Sequence, residues 1–264
     1  MNNTLYVVGL GPGDASCLTP LARESLARAT CIVGYPLYIE LVPSELLAGK
    51  HIMATGMRHE TERCQQAIDA ALAGEVTAIV CSGDAGVYAL AGLVLELLEL
   101  GGTLDQVDLQ VVPGIPAVCA GAALLGAPLT HDFACISLSD LLTPWPAIYK
   151  RLDAALGADF VCVLYNPRSR GRTQQLPEAL ALARRHRPPD CPVGLVQRAF
   201  RPKQKVTLTT LADLDPEWVD MLSILFIGNS ESRRVGSYFL TPRGYDKKRF
   251  SGLRTPEATQ KGNV

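Results

Sequence analysis

No apolar run in this sequence approaches the ~18 residues that a membrane-spanning helix requires. Neither charge is in excess: 25 basic residues stand against 26 acidic ones, for a formal charge of −1. A nucleic-acid-binding chain normally carries a basic surplus, so that balance argues against one. Histidine is scarce, at 4 residues, and none stands at metal-ligand spacing from a cysteine. The 8 cysteines (Cys17, Cys31, Cys64, Cys81, Cys119, Cys135, Cys162 and Cys191) include no C-x-x-C pair. Several fall in apolar, strand-like runs such as AIVCSGD and FVCVLYN. They read as buried, reduced thiols of a cytosolic protein, and no metal site is expected. The opening Met1-Asn2-Asn3-Thr4 passes into strand-like sequence without the charged leader of an export signal, so a cytoplasmic location is expected. The chain shows neither an internal repeat nor a low-complexity tract.

What it has is length and apolar content: 264 residues, 48% of them hydrophobic, enough for one large domain or two smaller ones. In the N-terminal half, strand-like runs (4–10, 31–35, 51–56, 76–84, 108–117) alternate with amphipathic segments (19–30, 58–74, 87–100). Continuous apolar strands alternating with helices predict a parallel sheet covered on both faces. Beyond residue 131 the strand-like runs 191–200, 204–211 and 222–230 have too little helix between them to be all parallel. The spacing therefore predicts an α/β protein of two domains, with a parallel five-stranded N-terminal sheet and a mixed C-terminal sheet. The boundaries are placed at 1–128 and 129–245, dividing near GAPLTH. Residues 246–264 are polar and aperiodic and read as a tail.

The stretch VVGLGPGDA (7–15) ends the first strand in alternating glycines. A dinucleotide fingerprint wants a third glycine where Asp14 stands, and a phosphate loop wants a lysine that is absent. An aspartate at a helix start repels a pyrophosphate and suits a helix cap. The loop therefore fits close approach by a ligand without phosphates. Two more small-residue turns, SGDAGVY (82–88) and VPGIPA (112–117), end the fourth and fifth strands. In open α/β sheets, ligands bind at that carboxyl edge. Asp84 fits either a helix cap or an acceptor for a ligand hydroxyl or ammonium.

GLGPGD, CSGDAGVY and VVPGIPAVCAGAALLGAPLTHDF, in that order, resemble the tetrapyrrole methylases of cobalamin and sirohaem biosynthesis. VGYPLYIELV, ATGMRHETERCQQAIDAA, SLSDLLTPWPAIYKRLDAA and LYNPRSRGR are similar to the branch that methylates ring D and contracts the macrocycle. The resemblance covers about residues 4–245. It implies two α/β domains, S-adenosylmethionine bound in the cleft between them, and a homodimer. Carried over motif by motif, it implies cofactor contacts from Pro12, Ser82, Gly83, Asp84, Val87, Pro116, Ala117, Asn166 and Ala199. Relatives often carry Thr or Ser at 116–117, so a hydroxyl contact there is not implied for this chain.

Methyl transfer from a sulfonium to an electron-rich carbon needs alignment rather than a protein nucleophile, and no nucleophile–base arrangement is evident. Ring contraction requires proton movement and hence an acid or base near the ring. Candidates are His131 and Asp14 foremost, with Asp132, Ser137, Asp140 and Tyr35 behind them. The macrocycle is a polyanion with acetate and propionate arms, which calls for cations and amide donors. Gly11, Tyr35, Arg58, Arg168 and Arg170 are the expected substrate contacts, with Arg172, Arg198, Arg201, Lys203 and Lys205 as further cations. The sequence leaves open a counterpart acting on a cobalt-containing macrocycle, and a binding module that senses the cofactor without turnover.

Overall fold

The computed structural model describes residues 3–245. The expected tail at 246–264 lies outside the described residues.

The first sheet is built from β1 (Thr4–Gly9), β2 (Cys31–Gly34), β3 (His51–Ala54), β4 (Thr77–Cys81) and β5 (Asp108–Val112) in the order β3-β2-β4-β1-β5. Every pairing is parallel. β1, β2 and β4 are buried throughout, as central strands covered on both faces must be, whereas the edge strand β3 is largely exposed. The intervening helices are α1 (Pro20–Arg28), α2 (Pro36–Ile39), α3 (Glu60–Leu72) and α4 (Ala91–Leu100). α3 turns Cys64, Ala67, Ile68 and Ala71 inward at helical spacing and ends at Gly74, which adopts φ +94°. α4 starts later than the sequence pattern suggests, because Val87–Leu90 form the turn after β4.

After α5 (Ala117–Leu125) and the two-residue β6 (Gly126–Ala127), a second sheet follows. It comprises β7 (Phe133–Ser137), β8 (Val161–Tyr165), β9 (Pro192–Gln197), β10 (Lys205–Thr210) and β11 (Ser223–Ile227), in the order β10-β9-β11-β8-β7. Only β7 and β8 are parallel; β9, β10 and β11 pair antiparallel, so the sheet is mixed as expected. α6 (Trp145–Gly157) and α7 (Gln175–His186) cover one face. β12 (Arg233–Val235) and β13 (Tyr238–Leu240) form a small sheet with β6.

α5 lies on the other face of the second sheet: Val118 and Leu125 share a core with Val163, Val196, Ile224 and Phe226. Gly121 allows the close fit, since a Cβ there would stand 2.8 Å from the Phe226 ring. The change of core falls in the turn between β5 and α5, at 113–116. Deep in the second domain, the buried guanidinium of Arg187 donates to the carbonyls of Gly228, Leu156, His186 and Phe160, and it pairs with Asp159 at 3.3 Å. No helix among the described residues is long and apolar enough to cross a membrane.

Candidate functional site

The glycine turns after β1, β4 and β5 meet backbone to backbone. Gly11 and Gly83 exchange two amide–carbonyl hydrogen bonds, 2.9 and 2.7 Å long, with φ of +74° and +73°. A Cβ on Gly9 would lie 2.7 Å from both Gly114 N and Gly83 O, and one on Gly114 would lie 2.1 Å from Gly83 O. Side chains are excluded there because three strand ends converge. Asp84 is not the cap of α4, whose N-cap is Leu90; within the protein both of its carboxylate oxygens accept backbone hydrogen bonds. One carboxylate oxygen accepts from Gly86 N at 2.8 Å, closing its own turn, and the other accepts from Gly114 N at 3.0 Å, tying the second turn to the third.

These turns form one wall of a cavity at the junction of the two sheets. The opposite wall comes from the end of β8, the turn after β9 and the start of β11. Pro12, Ser82, Gly83, Asp84, Val87, Pro116, Ala117, Asn166 and Ala199 all line this single cavity. Asn166 adopts φ +47° and donates through Nδ2 to the Ser137 hydroxyl at 3.0 Å. That bond places Ser137, one of the acid–base candidates, behind the cavity wall.

Sequence reasoning missed three tyrosines and the placement of Arg201. Tyr38, Tyr88 and Tyr165 line the cavity. The rings of Tyr88 and Tyr165 lie 5.0 Å apart, within the range of favourable aromatic pairing, and join the two domains. Tyr88 Oη donates to Cys135 O at 2.9 Å, and Tyr165 Oη accepts from Val118 N, in the first turn of α5, at 2.8 Å. Burial raises the pKa of Tyr38 and Tyr165, so both stay neutral phenols near neutral pH. Arg201 crosses from the second domain onto the first: Nε donates to Pro12 O, and Nη2 donates to Ser82 Oγ at 2.6 Å. Its side chain lies over Gly13, where a Cβ would stand 2.7 Å from Arg201 Cγ. Burial lowers the pKa of its guanidinium, which nonetheless stays charged.

Of the other expected residues, Arg198 also lines the cavity, and those that follow do not. His131 is exposed, and its Nδ1 accepts from Asp132 N at 2.8 Å. Asp14 caps the short 3₁₀ turn Ala15–Cys17; bonds from the Ser16 hydroxyl and amide lower its pKa. Asp140 accepts from Gln175 Nε2 at 2.7 Å, and Asp132 is exposed. Tyr35 stands beside the site rather than in its wall, edge-on to Tyr38 at 5.4 Å with the Arg63 guanidinium 5.8 Å from its ring centre. Arg58 and Arg170 are exposed. Arg168 donates through Nη2 to Glu217 at 2.6 Å and through Nη1 to the Pro216 carbonyl at 2.9 Å, which leaves three of its five N–H donors.

The lining suits a flat, partly apolar ligand carrying a small zwitterion. Val196, Ala199, Leu222 and Ile224 offer apolar contact on one side, while backbone groups and the Asp84 carboxylate offer polar contact on the other. The lining includes no lysine and no phosphate-type loop.

Residues 4–215 match the model of the Tetrapyrrole (Corrin/Porphyrin) Methylases. The chain is 49% identical over 241 residues to a probable cobalt-factor III C(17)-methyltransferase of Salmonella typhimurium, covering 91% of this chain and 99% of that one. It is 45% identical over 250 residues to a cobalt-factor III methyltransferase of Priestia megaterium, covering 94% of this chain but only 46% of that longer protein. A precorrin-3B C(17)-methyltransferase of a Sinorhizobium species is 41% identical over 236 residues, covering 89% of this chain and 92% of that one. Among solved structures, the methyltransferase CobJ superposes with a TM-score of 0.86 at 37% identity, over 90% of this chain and 99% of that one. A uroporphyrin-III C-methyltransferase of Thermus thermophilus in complex with S-adenosylhomocysteine shares the fold, with a TM-score of 0.63 at 24% identity over 85% of this chain and 97% of that one.

Proposed function

The chain belongs to the tetrapyrrole methylase family, and from that premise we propose that it methylates C-17 of a precorrin-3B-type macrocycle and contracts the ring, with S-adenosylmethionine as methyl donor. The observation that carries the reading is the convergence of every expected cofactor contact on one interdomain cavity. The greater identity to relatives named for cobalt-factor III favours the cobalt-containing macrocycle as a second reading. A homodimer and a cytoplasmic location belong to the same proposal.

S-adenosylmethionine supplies an electrophilic methyl group on a sulfonium. The nucleophile is a carbon of the macrocycle, so the protein's part is placement. Asp84 already accepts two backbone bonds, but a carboxylate has capacity for about four, leaving room for an ammonium group. The backbone at Asn166 and Ala199 would hold the adenine by its edge, and Val196 and Leu222 would give it apolar contact. Positioning of this kind supplies roughly 7–11 kcal/mol of a bimolecular barrier. Arg58 and Arg170, whose guanidinium groups are exposed, receive the acidic arms of the macrocycle. For proton transfer, Asp14 is favoured by position, two residues beyond the cavity-lining Pro12; His131 is exposed and does not line the cavity.

The test is incubation of the purified protein, anaerobically, with methyl-labelled S-adenosylmethionine and either precorrin-3B or cobalt-factor III. Label is expected in a pigment with a shifted absorption spectrum. Binding of S-adenosylhomocysteine with no label in either pigment would overturn the enzymatic reading in favour of a sensor. Arg201→Met removes the tie to Pro12 and Ser82 while keeping much of the side-chain bulk. It is expected to raise the Kd for S-adenosylhomocysteine by about tenfold, the loss of one or two charge-assisted hydrogen bonds. Calorimetry reads this directly, and an unchanged Kd would remove Arg201 from the site.

A further inference from the structure

At the opposite edge of the first sheet, where its strands begin, three side chains converge that no spacing in the sequence links. Cys31 opens β2 and His51 opens the neighbouring β3, and the two are direct partners in the register. Glu75 stands two residues before β4, whose Thr77 is the register partner of Cys31 on its other side. The thiol, an imidazole nitrogen and a carboxylate oxygen all lie within 4.8 Å of one another. We propose that Cys31, His51 and Glu75 form a structural site for a thiophilic divalent cation such as zinc, with water completing a tetrahedron.

Three observations carry this. The first is charge. A thiolate and a carboxylate neutralise a dication, and a neutral imidazole adds a third donor, a combination that suits zinc. The second is spacing. His51 Nδ1 and Glu75 Oε1 are 3.3 Å apart, between the 2.7 Å of His59–Glu62 and His186–Asp153 and the 3.7 Å of His131–Asp132. Bonds of about 2.0–2.2 Å to a shared tetrahedral ion put nitrogen and oxygen about 3.4 Å apart, so this pair stands near a ligand–ligand separation. The third is framework. The donors sit at the ends of three adjacent hydrogen-bonded strands, which fixes their backbones, while the exposed side chain of His51, beside the half-buried Glu75, leaves an entry path.

Without metal, burial and the Glu75 carboxylate push the Cys31 thiol up to about 11. Binding therefore displaces the Cys31 proton to solvent as the sulfur–metal bond forms, with no change of oxidation state. Strands of this length hold the site about 15 Å from the interdomain cavity, so its role is to pin strand ends rather than to take part in chemistry.

Cobalt(II) titration of the chelator-treated full-length protein tests the site. One equivalent is expected to produce a thiolate-to-cobalt charge-transfer band and tetrahedral d–d bands, which zinc then bleaches. His51→Ala changes only an exposed side chain, and Glu75→Gln keeps its shape; each is expected to weaken cobalt binding at least tenfold. Zinc at a hundredfold excess over its Kd is expected to raise the Tm of the parent by about 5–10 °C and that of His51→Ala by much less. Absence of the charge-transfer band, or a band that survives both substitutions, would overturn the proposal.

Discussion

Gly114→Ala is expected to reduce affinity for S-adenosylhomocysteine at least a hundredfold and to lower the Tm by about 5–10 °C. The added methyl group would stand 2.1 Å from Gly83 O and 2.6 Å from Gly9 C and O. All three are backbone atoms, so no rotamer change relieves the overlap, and the turns after β1 and β4 must separate. Overpacking of this kind costs roughly 1–3 kcal/mol or more, which for a chain of this size corresponds to that shift in Tm. The separation also breaks the bond from Gly114 N to Asp84 and so opens the proposed aminoacyl subsite. Gly92→Ala, in α4 with nothing within 4 Å of the added atom, is the control, expected to leave the Tm unchanged or slightly raised. Calorimetry and thermal melts read both variants; wild-type affinity in Gly114→Ala would refute the role given to the converging turns.

Arg187→Met should give the largest loss of stability, about 3–5 kcal/mol, and a fall in Tm of about 10 °C or more. The guanidinium satisfies carbonyls from the end of α6, the loop before β8, the end of α7 and the turn after β11. Methionine fills the space but removes the Arg187 donors from those carbonyls, while Asp159 keeps its bonds from Ser230 N and Oγ. A melt lowered by less than about 3 °C would show that water replaces Arg187 there. Because Arg187 does not line the interdomain cavity, the folded fraction is expected to keep its affinity for S-adenosylhomocysteine.

The parallel first sheet is legible because its central strands are short, uniformly apolar and separated by amphipathic helices, so one period gives way to another at each turn. The mixed second sheet is legible because the last strands leave no room for crossover helices. The placement of α5 is not. AVCAGAALL is apolar all round, and only contacts with residues far along the chain, such as Gly121 with Phe226 a hundred residues later, assign it to the second core. The expected cofactor contacts share one cavity because they lie in turns, whose location follows from the strand ends. Tyr38, Tyr88 and Tyr165 sit inside the quoted motifs and were open to notice; nothing local to Arg201 shows that it reaches Pro12. Arg168 looks like a free cation in NPRSRGR until folding brings Glu217 to it. The Cys31–His51–Glu75 cluster depends on strand register alone, which spacing along the chain does not encode.

β11 lies between β9 and β8 although it is the last strand to join its sheet. A polypeptide halted near residue 215, where the family match stops, would present two raw flanks inside one domain. Those unmated edges invite intermolecular pairing. During synthesis the second half must therefore wait, unsealed, until its final third has emerged, and this is the interval in which a chaperone has most to protect.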